Sequence, residues 1–361
     1  MTRQDRLEAP HRRLESGSRT SRVVERVRER IAILGFRSGS WVVGHLPPGL
    51  SRFVIARGSQ IAYLLWPTKR RWSNANFSRV LGLPPGDRKV RTTALAAYGE
   101  YAKYVVEVMR LPRMSREEAD RAVVSASLDK VEPAWRDSKG GLIIALAHLG
   151  NAELAAAGVA SRGWPISVLA DDSAYPELFE AFRRTRAQWG VKIIPWRKVR
   201  DVYGVLKRRE MLGLFVDWGY RPDGIPVRFF GSWTTFPAGP AVLAAKTKSR
   251  ILPTAIRRLA DGKTLTIDFG EPFDVDSADP ASQLAATQRL ADEIAASIRA
   301  VPQQWYQFKP LWPADPAAQD ELAARAAAMA AGVMPAAAED AADLSRTVDP
   351  AEPGPAEPAP A

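Results

Sequence analysis

The stretch Gly141-Leu-Ile-Ile-Ala-Leu-Ala-His148-Leu-Gly-Asn-Ala-Glu153-Leu154 decides the fold. Residues 142–147 are apolar without alternation, which reads as a strand buried on both faces. Gly150 and Asn151 then turn the chain, and Asn151 is a natural N-cap that puts Glu153 in the first turn of a helix. His148 therefore stands at the carboxyl end of a buried strand, where sites gather in open α/β sheets. Glu153, facing back toward that end, is expected to accept a hydrogen bond from one imidazole nitrogen. The other nitrogen is then left to take a proton from an incoming hydroxyl. By spacing alone, a capping Asn, a Glu favoured by the helix dipole and an incidental His fit as well.

Working outward, apolar runs of strand length recur at 166–169, 191–194, 211–216, 227–230, 251–256 and 265–269. Helix-period segments lie between several of them, at about 151–162, 175–189, 197–209, 238–248 and 281–300. This alternation predicts an α/β domain with helices covering a central sheet, mixed because the last strands are too closely spaced to be all parallel. Upstream, Leu95, Tyr98, Ala102, Val105, Val106 and Met109 make one helical face before Pro112, and the first 115 residues read as mainly helical. Val23, Val27, Ile31 and Leu34 recur at helical spacing among Arg22, Arg26, Arg28 and Arg30. Such a helix either docks on its own domain or lies on an anionic bilayer. Residues 41–66 are apolar but interrupted by Gly44, Pro47, Pro48, Gly49, Arg52 and Arg57, so no spanning helix is expected. Ile61 to Trp66, followed by Lys69-Arg70-Arg71-Trp72, has the order of an interfacial anchor, and equally that of a buried helix ending in a basic turn. The organisation is then a polar leader at 1–20, a helical membrane-associating region at 21–115, an α/β core at 116–314, and an acidic Ala/Pro-rich tail at 315–361. That tail is expected to be disordered except for an Ala-rich helix at about 317–331.

Composition removes whole classes of chemistry. There is no cysteine, hence no disulfide framework, thiolate metal site or cysteine nucleophile. The three histidines, His11, His45 and His148, are too few for a multi-histidine centre, so no metal is expected. Ser173, Ser232 and Ser249 lack a Gly-x-Ser-x-Gly elbow, which disfavours a hydrolase triad. The net charge is +11, although residues 315–361 carry nine acids against two bases, so the body is more basic still. Such a body expects an anionic partner. With no zinc-finger, RNP-type or Lys/Arg repeat motif, a membrane surface or a phosphorylated small molecule fits better than nucleic acid.

Several segments, in order, resemble the lysophospholipid acyltransferase superfamily, in the branch of lipid A biosynthesis acyltransferases and phosphatidylinositol mannoside acyltransferase. His148-Leu-Gly-Asn-Ala-Glu153-Leu-Ala is similar to the branch's His-x4-Asp/Glu block, with Ala152 where Trp is common. Phe182-Arg-Arg-Thr-Arg186, running on to Trp189-Gly190, resembles its arginine-rich helix, and Gly213-Leu-Phe-Val-Asp217 its strand ending in an acid. Phe230-Gly231, Pro237-Ala-Gly-Pro240 and Pro302-Gln-Gln-Trp-Tyr306 match its later blocks. Two departures stand out: Asp217-Trp218-Gly219 keeps only the first acid of an Asp-x-Asp, and no acid lies between Gly224 and Gly231. The resemblance implies O-acyl transfer from acyl-CoA or acyl carrier protein to a glycolipid hydroxyl, without a cofactor. His148 would be the general base and Glu153 its orienting carboxylate, with Arg186 and Asp217 binding substrate. It further implies a peripheral enzyme at the cytoplasmic face of the bacterial plasma membrane. A glycerolipid acyltransferase and a non-catalytic basic membrane-binding protein are the alternatives.

Overall fold

The computed structural model describes residues 19–170, 176–195 and 198–334. Four helices come first: α1 (Arg19–His45), α2 (Pro48–Leu65), α3 (Pro67–Leu81) and α4 (Arg88–Arg110). Their boundaries follow local chemistry. Pro48 and Pro67 each occupy a first helical turn, where a missing N–H costs nothing. Gly82 ends α3 at φ +64°, and the Asp87 side chain caps α4 by accepting from Lys89 N. The carboxyl end of α1 docks on its own domain, since Arg110 and Arg113 donate to the carbonyls of Val43, Leu46 and Ser40. Ile31 and Leu34 nevertheless remain exposed, and the side chains of Val23 and Val27 lie outside the described residues.

The body follows as α5 (Arg116–Arg121), β1 (Val123–Val124), α6 (Val131–Arg136), β2 (Leu142–Leu146), α7 (Ala152–Gly158), β3 (Ile166–Ala170), α8 (Pro176–Ala187), β4 (Lys192–Pro195), α9 (Asp201–Lys207) and β5 (Met211–Phe215). It continues through β6 (Ile225–Phe229), β7 (Ser232–Phe236), α10 (Gly239–Thr247), β8 (Arg250–Arg258), β9 (Leu265–Phe269) and α11 (Pro280–Ala300). Seven strands form one sheet in the order β1-β9-β8-β2-β5-β3-β4. Its pairs are parallel except β8 with β9, so the sheet is mixed, as the close spacing of the last strands predicted. The run at 227–230 is not part of it. Those residues pair antiparallel with β7 in a separate hairpin, and β7 and the two-residue β1 escaped the pattern reading.

β2 is central, and its side chains alternate between two cores. Ile143, Ala145 and Ala147 pack in one layer with α9, α10 and α11, whereas Leu142 and Leu146 pack in the other with Ala119 of α5, Val131 and Ala134 of α6, and α7. Burial on both faces explains the unbroken apolar run.

Within 315–361, residues Ala317–Ala330 form α12, the Ala-rich helix expected there, and it packs on the body instead of standing apart. Leu322 and Met329 are buried, Arg325 donates to the carbonyls of Pro222 and Gly224, and Gln319 bonds Trp233 N and O. Those bonds hold α12 against the β6–β7 hairpin. Residues 335–361 and the leader 1–18 lie outside the described residues.

Candidate active site

Parallel pairing of β2 with β5 places Leu146 opposite Phe215. Two residues beyond each strand end, His148 and Asp217 come together. Asp217 Oδ1 lies 2.7 Å from His148 Nδ1, and the His148 backbone N–H reaches both carboxylate oxygens at 3.1 and 3.0 Å. A carboxylate only accepts, so Nδ1 carries a proton, and in the neutral ring Nε2 is the acceptor. Asp217 has no exposed surface and also accepts from the Trp305 indole N–H at 2.8 Å. Burial pushes its carboxyl up, but the charge and hydrogen bonds of His148, with the indole, outweigh burial and hold it below the ordinary aspartate range. The imidazole stacks on Phe215 at 4.3 Å and meets Trp218 edge-on at 6.1 Å.

The contacts differ from the pairing expected in the sequence: the acid that bonds the His148 ring is Asp217, expected to bind substrate, and it has no exposed surface. Glu153 does lie in the first turn of α7, capped by Asn151 through Leu154 N. Its carboxylate, however, is gripped at both oxygens by Arg186 of α8. Arg186 is thereby an internal partner of Glu153, and its guanidinium also lies 5.6 Å from the Phe182 ring. Burial, then the nearby Glu153 charge, push the Tyr104 phenol well above its usual range. His148, Glu153 and Arg186 do share one cavity wall.

The turn between His148 and α7 is fixed from outside. Gly150 has φ +67°, and a Cβ there would sit 2.2 Å from the Ile256 carbonyl oxygen, so glycine is required. A strap at 304–311 runs across the strand ends: Tyr306 N donates to His148 O, Gly150 N to Gln304 O, and the Gln307 amide to Asp217 O. Behind the turn lies a buried charged cluster. Glu107 of α4 accepts from Asn151 Nδ2 at 2.8 Å, from Arg258 at 2.7 Å and from Arg52 at 3.0 Å. Glu107 and Arg258 are nearly inaccessible, and the pair ties the N-terminal helices to the N-cap of α7.

His148 lines a cavity of about 740 Å³, in the range of pockets that enclose whole ligands. Its wall below His148 is apolar, with Leu146, Ile144, Val168, Ile166, Trp164 and Trp189 among the lining residues. Ile144 is partly accessible although it stands in the middle strand of the sheet, because its side chain meets the cavity instead of a helix. Ile166 is aligned with Met211, which is aligned with Leu142, six residues before His148. At the rise of a β-strand the slot thus extends about 20 Å into the body. No residue pattern had identified this lining, because the same side chains read as ordinary core. Asp217's role was likewise unreadable, although Trp305 had a signal in the Pro-x-x-Trp block. Glu107 had none, being one acid among many on a helix face.

Residues 22–313 match the family model described as bacterial lipid A biosynthesis acyltransferase. The chain is 29% identical over 302 residues to a phosphatidylinositol mannoside acyltransferase of Mycolicibacterium smegmatis, covering 82% of this chain and 95% of that protein. It is 31% identical over 249 residues to a protein of the same name from Mycobacterium tuberculosis, covering 66% of this chain and 76% of that one. The match takes in the strand ends, the strap and the cavity wall described above, and the chain is an acyltransferase that belongs to the bacterial lipid A biosynthesis acyltransferase family.

Proposed function

We propose that the protein moves a fatty acyl chain from an acyl-CoA or acyl carrier protein thioester to a hydroxyl of a membrane glycolipid, of the kind named for its mycobacterial relatives. The observation that carries this reading is an accessible His148 backed by the fully buried Asp217, at the wall of a long apolar slot. The slot takes the acyl chain with its thioester carbon near Nε2. The acceptor hydroxyl attacks that carbon while Nε2 takes its proton. Asp217, ionised and sealed from water, stabilises the imidazolium so formed. The C–O bond forms, the C–S bond breaks, and the imidazolium returns its proton to the departing thiolate. Glu153 and Arg186 hold α7 against α8 and shape the wall beside the reacting atoms; they are positioning residues.

The reaction takes place at a membrane. No helix among the described residues is long and apolar enough to cross one. On α2 and the residue after it, Leu50, Phe53, Val54, Ile61, Leu64, Leu65 and Trp66 are all exposed, Leu65 at 77%. An apolar surface of this kind marks an interaction face. Its end adjoins the cavity, whose lining includes Ala62 and Trp66. In this reading the enzyme sits peripherally on the cytoplasmic face of the bacterial plasma membrane, with α2 in the lipid headgroups and the slot opening beside it. The test is acyl transfer from palmitoyl-CoA and palmitoyl carrier protein to phosphatidylinositol mannosides in mixed micelles, followed by mass spectrometry. Mass gain of one palmitoyl group that depends on His148 supports the reading; thioester hydrolysis without transfer overturns it.

A further inference from the structure

Two ammonium groups line the mouth of the cavity, Lys69 from the first turn of α3 and Lys309 from the strap. Neither has a carboxylate partner among the described residues, in contrast to the guanidiniums deeper in, Arg186 and Arg258, which are both paired. Nor is an acid close to either in sequence: there is none between Glu29 and Asp87, and none between Glu293 and Asp315. Two other cations of α3 are already bonded. Arg70 donates to Leu64 O, and Arg79 bonds Ser232 while lying 5.3 Å from the Trp312 ring.

The pair is also built rather than incidental. The Lys69 ammonium lies 4.5 Å from the Trp72 ring and 5.9 Å from that of Trp66, so two indoles hold it in place. Lys309 is held through its backbone. Asn76, on α3 seven residues after Lys69 and so on the same helix face, donates to the carbonyls of Gln307 and Lys309 at 2.9 and 2.7 Å. Partial burial and the Lys309 charge beside it lower the Lys69 ammonium from the usual lysine range, as expected for two like charges kept close without a counter-ion.

We infer that Lys69 and Lys309 form a phosphate-binding subsite at the cavity mouth, taking a phosphate group of the substrate whose acyl or hydroxyl group lies at His148. The inference rests on the acyl-transfer reading for its choice of ligand. Two substrates bear phosphate there, the glycolipid through its phosphodiester and the donor through its pantetheine and nucleotide phosphates. A phosphate bridging both ammoniums removes their mutual repulsion as well as gaining charge-assisted hydrogen bonds. It also fixes how far a headgroup can pass the mouth, and so which hydroxyl reaches Nε2.

The experiment compares wild type with Lys69→Gln, Lys309→Gln and the double variant, by calorimetric binding of four soluble probes. CoA and dihexanoyl phosphatidylinositol carry phosphate; pantetheine and octyl mannoside do not. Expected is a loss of about tenfold or more in affinity for one phosphate-bearing probe in the double variant, with its phosphate-free counterpart unchanged and Lys→Arg variants close to wild type. Loss for CoA assigns the subsite to the donor, and loss for the phosphoinositide assigns it to the acceptor. Equal affinity of variant and wild type for both phosphate-bearing probes overturns the inference, as does an equal loss for the phosphate-free probes. Binding is read without turnover, so the two readings fail separately. Lysine-dependent phosphate binding in a protein that transfers no acyl group would sink only the transferase assignment, and His148-dependent transfer with unaffected binding would sink only the subsite.

Discussion

His148 Nδ1 and Asp217 Oδ1 are 2.7 Å apart although 69 positions separate the residues in the chain. The register of β2 against β5 sets the two strand ends side by side, and the strap holds the pair there. If this pair is the proton-handling unit, His148→Ala should lower kcat by about 10²–10⁴-fold, the usual worth of a general base. Asp217→Asn should lower kcat with little change in KM for the thioester, because the side chain does not reach the cavity. A folded His148→Ala enzyme working at the wild-type rate would dismiss the mechanism.

The same carboxylate sets an acid limit. Its bonds hold the Asp217 carboxyl below the ordinary aspartate range. Stability from those bonds is therefore fully present above about pH 4 and lost as pH falls through the depressed folded value. Thermal unfolding followed from neutral pH downward should show a steeper acid loss for wild type than for Asp217→Asn. Parallel curves would mean the pair contributes no such linkage.

Glu153 and Arg186 should act as one unit. Glu153→Gln, Arg186→Gln and the double variant are expected to have similar kcat values, because each single change already breaks the bidentate contact. Independent, multiplying losses in a double-mutant cycle would instead give Glu153 a separate role at the histidine.

Chain-length preference should respond to Ile144. Phenylalanine at this position puts its ring into the slot four residues below His148. Each methylene kept out of an apolar environment costs roughly 0.8 kcal/mol. Competition between myristoyl-CoA and stearoyl-CoA should therefore shift several-fold toward the shorter donor, and unchanged selectivity would place the acyl chain elsewhere.

Removing the Glu107 carboxylate leaves the buried Arg258 guanidinium only the more distant Glu100, at 3.7 Å, as counter-charge. Glu107→Gln should cost about 3–5 kcal/mol of unfolding free energy in urea titration, the range for one broken partner of a buried pair. Glu107→Gln with Arg258→Met should recover part of this. A loss within 0.5 kcal/mol or so, typical of surface changes, would refute the role.

The architecture was readable because buried strands and covering helices leave different periods in the chain, and 142–147 is as clear a buried strand as an α/β sheet offers. His148 was legible for the same reason, standing where such a strand ends. Its partner was not. Local spacing favours Glu153, five residues away, but that carboxylate is taken by Arg186, and the acid that reaches the imidazole arrives on a neighbouring strand. Pairing across a sheet is set by tertiary register, which a one-dimensional pattern does not contain. Trp164, Trp189 and Ile144 escaped for a related reason: a side chain facing a cavity and one facing a helix are chemically alike. The Ala-rich helix was visible as a helix, whereas its docking depends on a hairpin of which only one strand, at 227–230, shows in the pattern, and there as part of the main sheet.

The strap across the strand ends bears on how the enzyme comes into being. Trp305, Tyr306 and Gln307 clamp Asp217 and His148 from a position near the end of the matched region, while Glu107 secures the same turn from before the first long strand. Domains form during synthesis as the chain emerges from the ribosome, amino end first. The sheet strands on either side of the histidine are thus made well before the residues that lock the histidine's partner in place. A nascent chain that stops short of residue 305 has both His148 and Asp217 but neither the indole N–H nor the Gln307 amide that bond Asp217.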